Sequence, residues 1–311
     1  MNIVKRRLVW YILSVLLTIA SAIALFLWGI NPGTDFTGGT LVEVGFDKDV
    51  SAQIAREAIK DLDIGDVSVS NTSSNSVLVK AGVLETGEID NIVETLKTNI
   101  TSDESRGVSE VYKKQSRVVG PSLGADTTKR AITLTIVALI AILLYIAWSF
   151  RKVQKPFTSW SMSLTTVATV THDIIVILGF ISLVNHFYGF EANSYLLVAI
   201  LTVLGYSIHD TIVVFDRIRE NILHHPGGEK IESIVERSVD QTLARSLNTS
   251  LTLILVLLAL TTIGGGAIRP FVLTLLVGIT FGTYSSIFLA ASILTDWGKH
   301  NEKKIAARKA N

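Results

Sequence analysis

The sequence predicts a membrane α-helical bundle of six transmembrane helices, with an α+β, ferredoxin-like (βαββαβ) extracytoplasmic domain between helices 1 and 2. Three observations carry this. Of 311 residues, 49% are hydrophobic and only 18% charged, against about 25% charged in a soluble globular chain. The apolar residues gather into uncharged blocks long enough to cross about 30 Å of hydrocarbon. Lys and Arg cluster at alternate ends of those blocks, as they do beside membrane spans. A net charge of +1 gives no field to hold a nucleic acid, and none is expected as a partner. The absence of cysteine excludes a disulfide framework, an iron–sulfur site and a thiol nucleophile.

The first block, Leu8 to Ile30, follows Lys5-Arg6-Arg7. It is longer than the apolar core of a signal peptide, and no small-x-small cleavage site follows, so it reads as an uncleaved anchor. Five more blocks come after a long polar interval: Ala131 to Phe150, Thr158 to Val184, Ser194 to Phe215, Leu247 to Ile263 and Phe271 to Leu294. Gly264-Gly265-Gly266 closes the fifth span. Orientation follows from the basic residues. One side holds Lys5 to Arg7, then Arg151, Lys152 and Lys155, then Arg217, Arg219, Lys230, Arg237 and Arg245. The tail adds Lys299, Lys303, Lys304, Arg308 and Lys309, whereas the two short loops opposite offer only Arg269. Both termini are therefore expected in the cytoplasm. Trp10, Trp28, Trp148, Trp160 and Trp297 all fall near span ends, where interfacial aromatics sit.

The polar interval is then outside, and acidic residues outnumber basic ones in it. Thr40 to Phe46 puts Val42, Val44 and Phe46 on one face, as in a half-buried strand. Ser51 caps a helix whose apolar stripe is Ile54, Ala55, Ala58, Ile59 and Leu62. Val67 to Ser70 and Val77 to Ala81 read as strands joined by a turn at Asn71 to Asn75. Ile89, Ile92, Val93, Leu96 and Ile100 recur at helical spacing, and Val108 to Val119 closes with a strand. The order βαββαβ is that of the split βαβ unit. The chain thus divides into a cytoplasmic N-terminus with helix 1 at 1–30, the outer domain at 31–129, helices 2 to 6 at 130–296, and a basic cytoplasmic tail at 297–311.

Ionisable residues inside the spans are the informative ones. His172 and Asp173 sit mid-span in the third helix, His209 and Asp210 in the inner half of the fourth, and Arg245 at the inner end of the fifth. A charge at the centre of a membrane helix costs about 2.5–3.5 kcal/mol on insertion scales, and such residues usually face the bundle interior and mark ion or proton paths. A polar staple holding helices in register is the structural alternative. A carboxylate whose distance to a guanidinium changes also changes its hold on a proton, so Asp210 with Arg245 is the expected switch. Ser207 and Thr211 flank Asp210 as a hydroxyl relay, while His172 and His209 are each either a relay or a histidine hydrogen-bonded to a neighbouring helix. Beyond the span, Asp216, Arg217 and Arg219 suit either a solvated helix extension paired at i, i±3 or a cytoplasmic coupling element. Gly278 and Gly282 form a small-xxx-small pair for close packing of the last helix.

Metalloprotease and P-loop patterns are absent, and neither enzymatic activity nor a cofactor is expected. His224-His225, before Pro226-Gly227-Gly228 in a loop, is too little for a metal site. Work must then come from the membrane potential or an ion gradient, about 2.3 kcal/mol per charge per 100 mV.

Several stretches resemble the SecD/SecF family of bacterial protein-export membrane proteins, and within it the SecF-type subunits. They are Asp35-Phe36-Thr37-Gly38-Gly39-Thr40 after the first span, Val119-Gly120-Pro121-Ser122-Leu123-Gly124 before the second, and His172-Asp173 in the third. Gly205 to Asn221 in the fourth and Gln241-Thr242-Leu243-Ala244-Arg245-Ser246 at the fifth complete the set. The resemblance covers nearly the whole chain. It implies a resistance-nodulation-division type fold in the bacterial cytoplasmic membrane, with a SecD-type subunit and the Sec translocon as partners. It also implies proton-driven assistance of unfolded preproteins on the outer side, with the proton-path aspartate and arginine on Asp210 and Arg245. Of the two Gly/Pro-rich motifs, Asp35, Gly38, Gly39, Gly120, Pro121 and Gly124 are the candidate hinge residues at the base of the outer domain, beside Asn31-Pro32-Gly33. In one departure, His209 stands where the family usually has Asn. The proton comes from the resemblance, since carboxylate, hydroxyl and carbonyl oxygens serve sodium equally. Two other readings use the same residues. One is a small-molecule efflux half-transporter, for which a single outer domain offers little cavity; the other is a translocon scaffold that carries no ion.

Overall fold

The computed structural model describes residues 3–73, 75–102, 107–153, 155–224, 229–263 and 268–310. Ser74, the loop residues His225 to Gly228 and Gly264-Gly265-Gly266 lie outside them. The elements are α1 (Arg7–Trp28), α2 (Thr34–Thr37), β1 (Gly39–Phe46), α3 (Ala52–Ala58), β2 (Ser68–Ser73), β3 (Ser76–Ala81), α4 (Thr86–Thr101) and β4 (Val111–Val119). They continue with α5 (Pro121–Ser149), α6 (Ser159–Tyr188), α7 (Ser194–His224), α8 (Ile231–Ile263), α9 (Arg269–Tyr284), a π-helical turn (Ser285–Leu289) and α10 (Ala290–Ala310). Six helices are long and apolar enough to cross a membrane: α1, α5, α6, α7, α8 and the continuous helix from α9 through α10.

All but α1 run further than the apolar blocks predict. At 31 residues and 1.5 Å per residue, α7 is about 46 Å long, so its last turns project past the hydrocarbon. α8 starts at Ile231 rather than Leu247, because Ile234, Val235, Ser238, Val239 and Thr242 bury one side of a helix whose other side is charged. A search for uncharged blocks misses such a half-polar helix. The last span is the best surrounded, packing against α6, α7 and α8. A Cβ on Gly278 would fall 2.4 Å from Val203 Cγ2, and one on Gly282 3.2 Å from Ser207 Cβ. These two glycines set how closely the last span approaches α7.

Between α1 and α5 in chain order, four strands form an antiparallel sheet in the order β2-β3-β1-β4. Val42 faces Val79 and Val44 faces Val77 across β1 and β3. These residues and Phe46 pack with Ala55, Ile89, Ile92, Leu96 and Ile100 from α3 and α4 into one core. Ser51 Oγ accepts from Ile54 N at 3.4 Å as the N-cap of α3, and Glu85 and Glu88 make a reciprocal capping box on α4. α3 ends at Ala58, a turn short of the predicted stripe, although Ile59 remains buried. β2 runs to Ser73, so the turn expected from Asn71 is mostly strand, and β4 starts at Val111 instead of Val108.

Candidate functional site

One face of α6 is lined by hydroxyls that bond back to their own helix, as Thr165 Oγ1 does to Ser161 O (2.7 Å) and Thr169 Oγ1 to Thr165 O (3.2 Å). Asp173 follows on the same helix, fully buried, and three groups converge on its carboxylate. Ser207 Oγ of α7 and Ser285 Oγ of the π turn each donate to Oδ2 at 2.7 Å, and His172 Nδ1 lies 3.0 Å from Oδ1. His172 Nε2 is buried without a partner. Ser286 Oγ donates to Ser207 O at 2.8 Å and lies 2.9 Å from Thr211 Oγ1. His172, Asp173, Ser207 and Thr211 thus come together as one cluster. Ser285 and Ser286 complete it unanticipated. Their signal was present in Thr283-Tyr284-Ser285-Ser286, four hydroxyls in a row inside an apolar span.

Asp210 lies on an adjoining face of α7. It is 2% exposed, and its Oδ2 has no hydrogen-bond partner. Its Oδ1 is 3.8 Å from His209 Nδ1, beyond hydrogen-bond reach, and the His209 side chain is 69% exposed. One turn away, Tyr206 OH meets Ser250 Oγ of α8 at 2.8 Å, and Ser250 meets Thr283 Oγ1 of α9 at 2.7 Å. Ser246, a turn from Ser250, is buried with its hydroxyl unpartnered.

The structure does not form the expected Asp210–Arg245 pair. Arg245 is exposed, and none of the ion pairs among the described residues includes it. The reason is helical phase. Thr242, Ser246 and Ser250, four apart, occupy the inward stripe of α8, which turns Arg245 and Thr249 outward. Ser207, level enough with Asp173 to bond it, lies three residues before Asp210 on α7, so the two carboxylates lie within about one helical turn of each other along the bundle.

Past Asp210, Arg217 ties α7 to α8 through Gln241 Oε1 (2.6 Å) and also holds Glu220 (2.6 Å). Asp216 and Arg219 pair only with each other, at 3.5 Å on the helix surface. Among the described residues no three His, Asp or Glu side chains group as metal ligands; His224 Nδ1 lies against the Glu220 carbonyl at 2.9 Å.

At the opposite end of the bundle the motif residues interlock. Gly38 holds φ +78° and Gly39 φ +129°. A Cβ on Gly38 would sit 2.8 Å from Pro121 Cα, one on Gly39 2.7 Å from Ala81 O, and one on Gly124 2.7 Å from Gly38 N. α2 is therefore pressed onto the first turn of α5 in a tight joint that only glycine permits. Gly120 meets nothing within 4 Å. Asp35 links three elements: its Oδ2 accepts from Ser194 N at 2.9 Å, at the start of α7, and its Oδ1 pairs with Arg117 of β4 at 3.1 Å. Asn31-Pro32-Gly33, expected as a hinge, is pinned to the loop before α7. Ala192 N donates to Asn31 O at 3.0 Å, Gly33 N donates to Ala192 O at 2.6 Å, and Lys80 pairs with Glu191 at 3.1 Å.

Comparison with known proteins gives this arrangement a context. Residues 100–300 match the model for the C-terminal part of the protein export membrane proteins SecD/SecF, and residues 23–50 match the SecD/SecF GG motif. The chain is 38% identical over 315 residues to the protein translocase subunit SecF of Thermobaculum terrenum, covering 99% of this chain and 97% of that protein. It is 38% identical over 294 residues to the SecF subunit of Vibrio alginolyticus, covering 94% and 88%. Among solved structures it is similar to SecDF, a translocon-associated membrane protein from Thermus thermophilus, with TM-score 0.81 and 30% identity over 96% of this chain. The chain spans 38% of that longer protein. SecDF in a super-membrane-facing form matches with TM-score 0.69 and 29% identity. With its multi-pass helical bundle, its paired glycines after the first span and its likeness to SecF subunits over nearly their full length, the chain belongs to the SecD/SecF family of protein-export membrane proteins.

Proposed function

We propose that the chain is a SecF-type subunit of the Sec export apparatus that draws on the proton motive force to assist preprotein translocation at the outer face of the cytoplasmic membrane. One observation carries this reading: two buried carboxylates within about a turn of each other in a membrane bundle, Asp173 hydrogen-bonded at both oxygens and Asp210 with an unpartnered oxygen. Staples end up satisfied. An acid with an incomplete shell is the one positioned to take and release a proton, and each charge crossing is worth about 2.3 kcal/mol per 100 mV.

On this reading Asp210 is the carrier, with the Asp173 cluster behind it. His209 and Arg245, exposed within their helices, face a SecD-type subunit, because a guanidinium left against lipid is costly. The four-stranded sheet with its two helices is the ferredoxin-like outer domain, by its βαββαβ order. The basic segments put both termini in the cytoplasm. The subunit does mechanical work without enzymatic chemistry, the proton standing where a cofactor would.

The test is potential-driven export in sodium-free vesicles holding this chain, its SecD-type partner and the translocon. Asp210→Asn keeps size and hydrogen-bonding shape but cannot titrate. It should assemble normally and lose the potential-dependent part of export, and Asp173→Asn should cost less. Normal export with Asp210→Asn would overturn the proton path and leave a scaffold.

A further inference from the structure

Most hydroxyls in the spans bond only to a carbonyl one turn back on their own helix, as Thr274, Thr280 and Thr295 do in the last span. Four consecutive residues depart from this pattern, each reaching a different helix. Thr283 meets Ser250 of α8 (2.7 Å), Tyr284 OH donates to Trp10 O of α1 (2.9 Å), Ser285 bonds Asp173 of α6 (2.7 Å), and Ser286 bonds Ser207 O of α7 (2.8 Å). Successive residues turn about 100° around a helix, so only a helix enclosed on all sides can use all four. Ser285 and Ser286 open the π-helical turn Ser285–Leu289, a break in α-helical phase of the kind found frequently at functional sites.

We infer that Ser285 and Thr283 are positioning residues through which the sixth span senses both buried carboxylates. Ser285 fixes Asp173 directly. Thr283 reaches the Asp210 face of α7 through Ser250 and Tyr206. The π turn between α9 and α10 is the joint at which the two contacts are phased. This inference rests on the proton-path reading and adds to it the element that links the two acids.

The test uses the same vesicles. Ser285→Ala should lower potential-driven export roughly ten- to hundredfold, the scale of a lost hydrogen bond to a charged group, with assembly unchanged. Ser285→Thr, which keeps the hydroxyl, should restore it. In an Asp173→Asn background Ser285→Ala should have at most a small further effect, because the charge that strengthens its hydrogen bond is gone. Thr283→Val should also impair export. Wild-type export with Ser285→Ala, a full additional loss in the Asp173→Asn background, or failure of Ser285→Ala to assemble would each overturn the inference. If Asp210→Asn abolishes export while Ser285→Ala does not, only this inference fails; if Asp210→Asn is inert, the underlying reading fails with it.

Discussion

Gly38 and Gly120 face each other across the outer joint, yet the structure assigns them opposite tolerances. Gly38 adopts φ 78°, ψ 169°, a region a side chain enters at a cost of about 1–3 kcal/mol. An added Cβ would lie 2.8, 3.0 and 3.2 Å from Pro121 Cα, Pro121 N and Gly120 C, all backbone atoms; crowding of that kind costs a further 1–3 kcal/mol or so. Stiffening of the unfolded chain offsets only about 0.4–1 kcal/mol. Gly38→Ala should therefore weaken the joint by about 1–5 kcal/mol. Gly120, at φ −67°, ψ 149° with open space around it, should accept alanine with no loss. The chain has no cysteine, so Thr34→Cys places a unique thiol at a position 1% exposed whose labelling rate reports local opening. Gly38→Ala should raise that rate at least about fivefold, and Gly120→Ala by less than about twofold. Equal rates for the two variants would refute the reasoning, because the joint would then be loose enough to absorb a methyl group at either place.

The remaining expectations are narrower. Pro32 and Ala192 are bridge partners, so Pro32→Cys with Ala192→Cys should form a disulfide and leave export intact; a disulfide that stops export would show that the sheet domain swings away from α7. Arg245→Cys should be labelled in the isolated chain and protected once a SecD-type subunit is bound, and equal labelling in both states would leave that face to lipid. The Ser109 hydroxyl, aided by the Ser109 backbone N–H, holds the Asp47 carboxyl down at about 2 from 3.8. That contribution to stability is present above about pH 3.8 and lost as pH falls through about 2. Ser109→Ala should move the Asp47 titration, followed by carboxyl 13C shifts, back up towards 3.8. An unmoved titration would mean that the hydroxyl is not the cause.

What the sequence made legible, and what it hid, divides along a physical line. Span count and the strand–helix order of the sheet domain are written in one-dimensional period, and Ser51, Val42 and Ile92 lie where their spacing puts them. Four members of the polar cluster, His172, Asp173, Ser207 and Thr211, were also readable, since a charged residue in an apolar helix draws the eye to itself and to the hydroxyls near it. Pairing was not. Asp210 and Arg245 are each conspicuous, but contact depends on helical phase, and an arginine one position from Ser246 is turned about 100° away from it. The same blindness hid Ser285. Serine in a membrane helix is ordinarily content with its own backbone, and only the neighbours of the last span, together with the π turn, make it a ligand of Asp173. The motif glycines show the third case. Gly38, Gly39 and Gly124 look like flexible punctuation in sequence, yet each marks a place where two backbones touch. A glycine pressed on both sides transmits motion instead of absorbing it. With Asp35 bonded to the first turn of α7, displacement of the helix that carries Asp210 would be felt first at the base of the sheet.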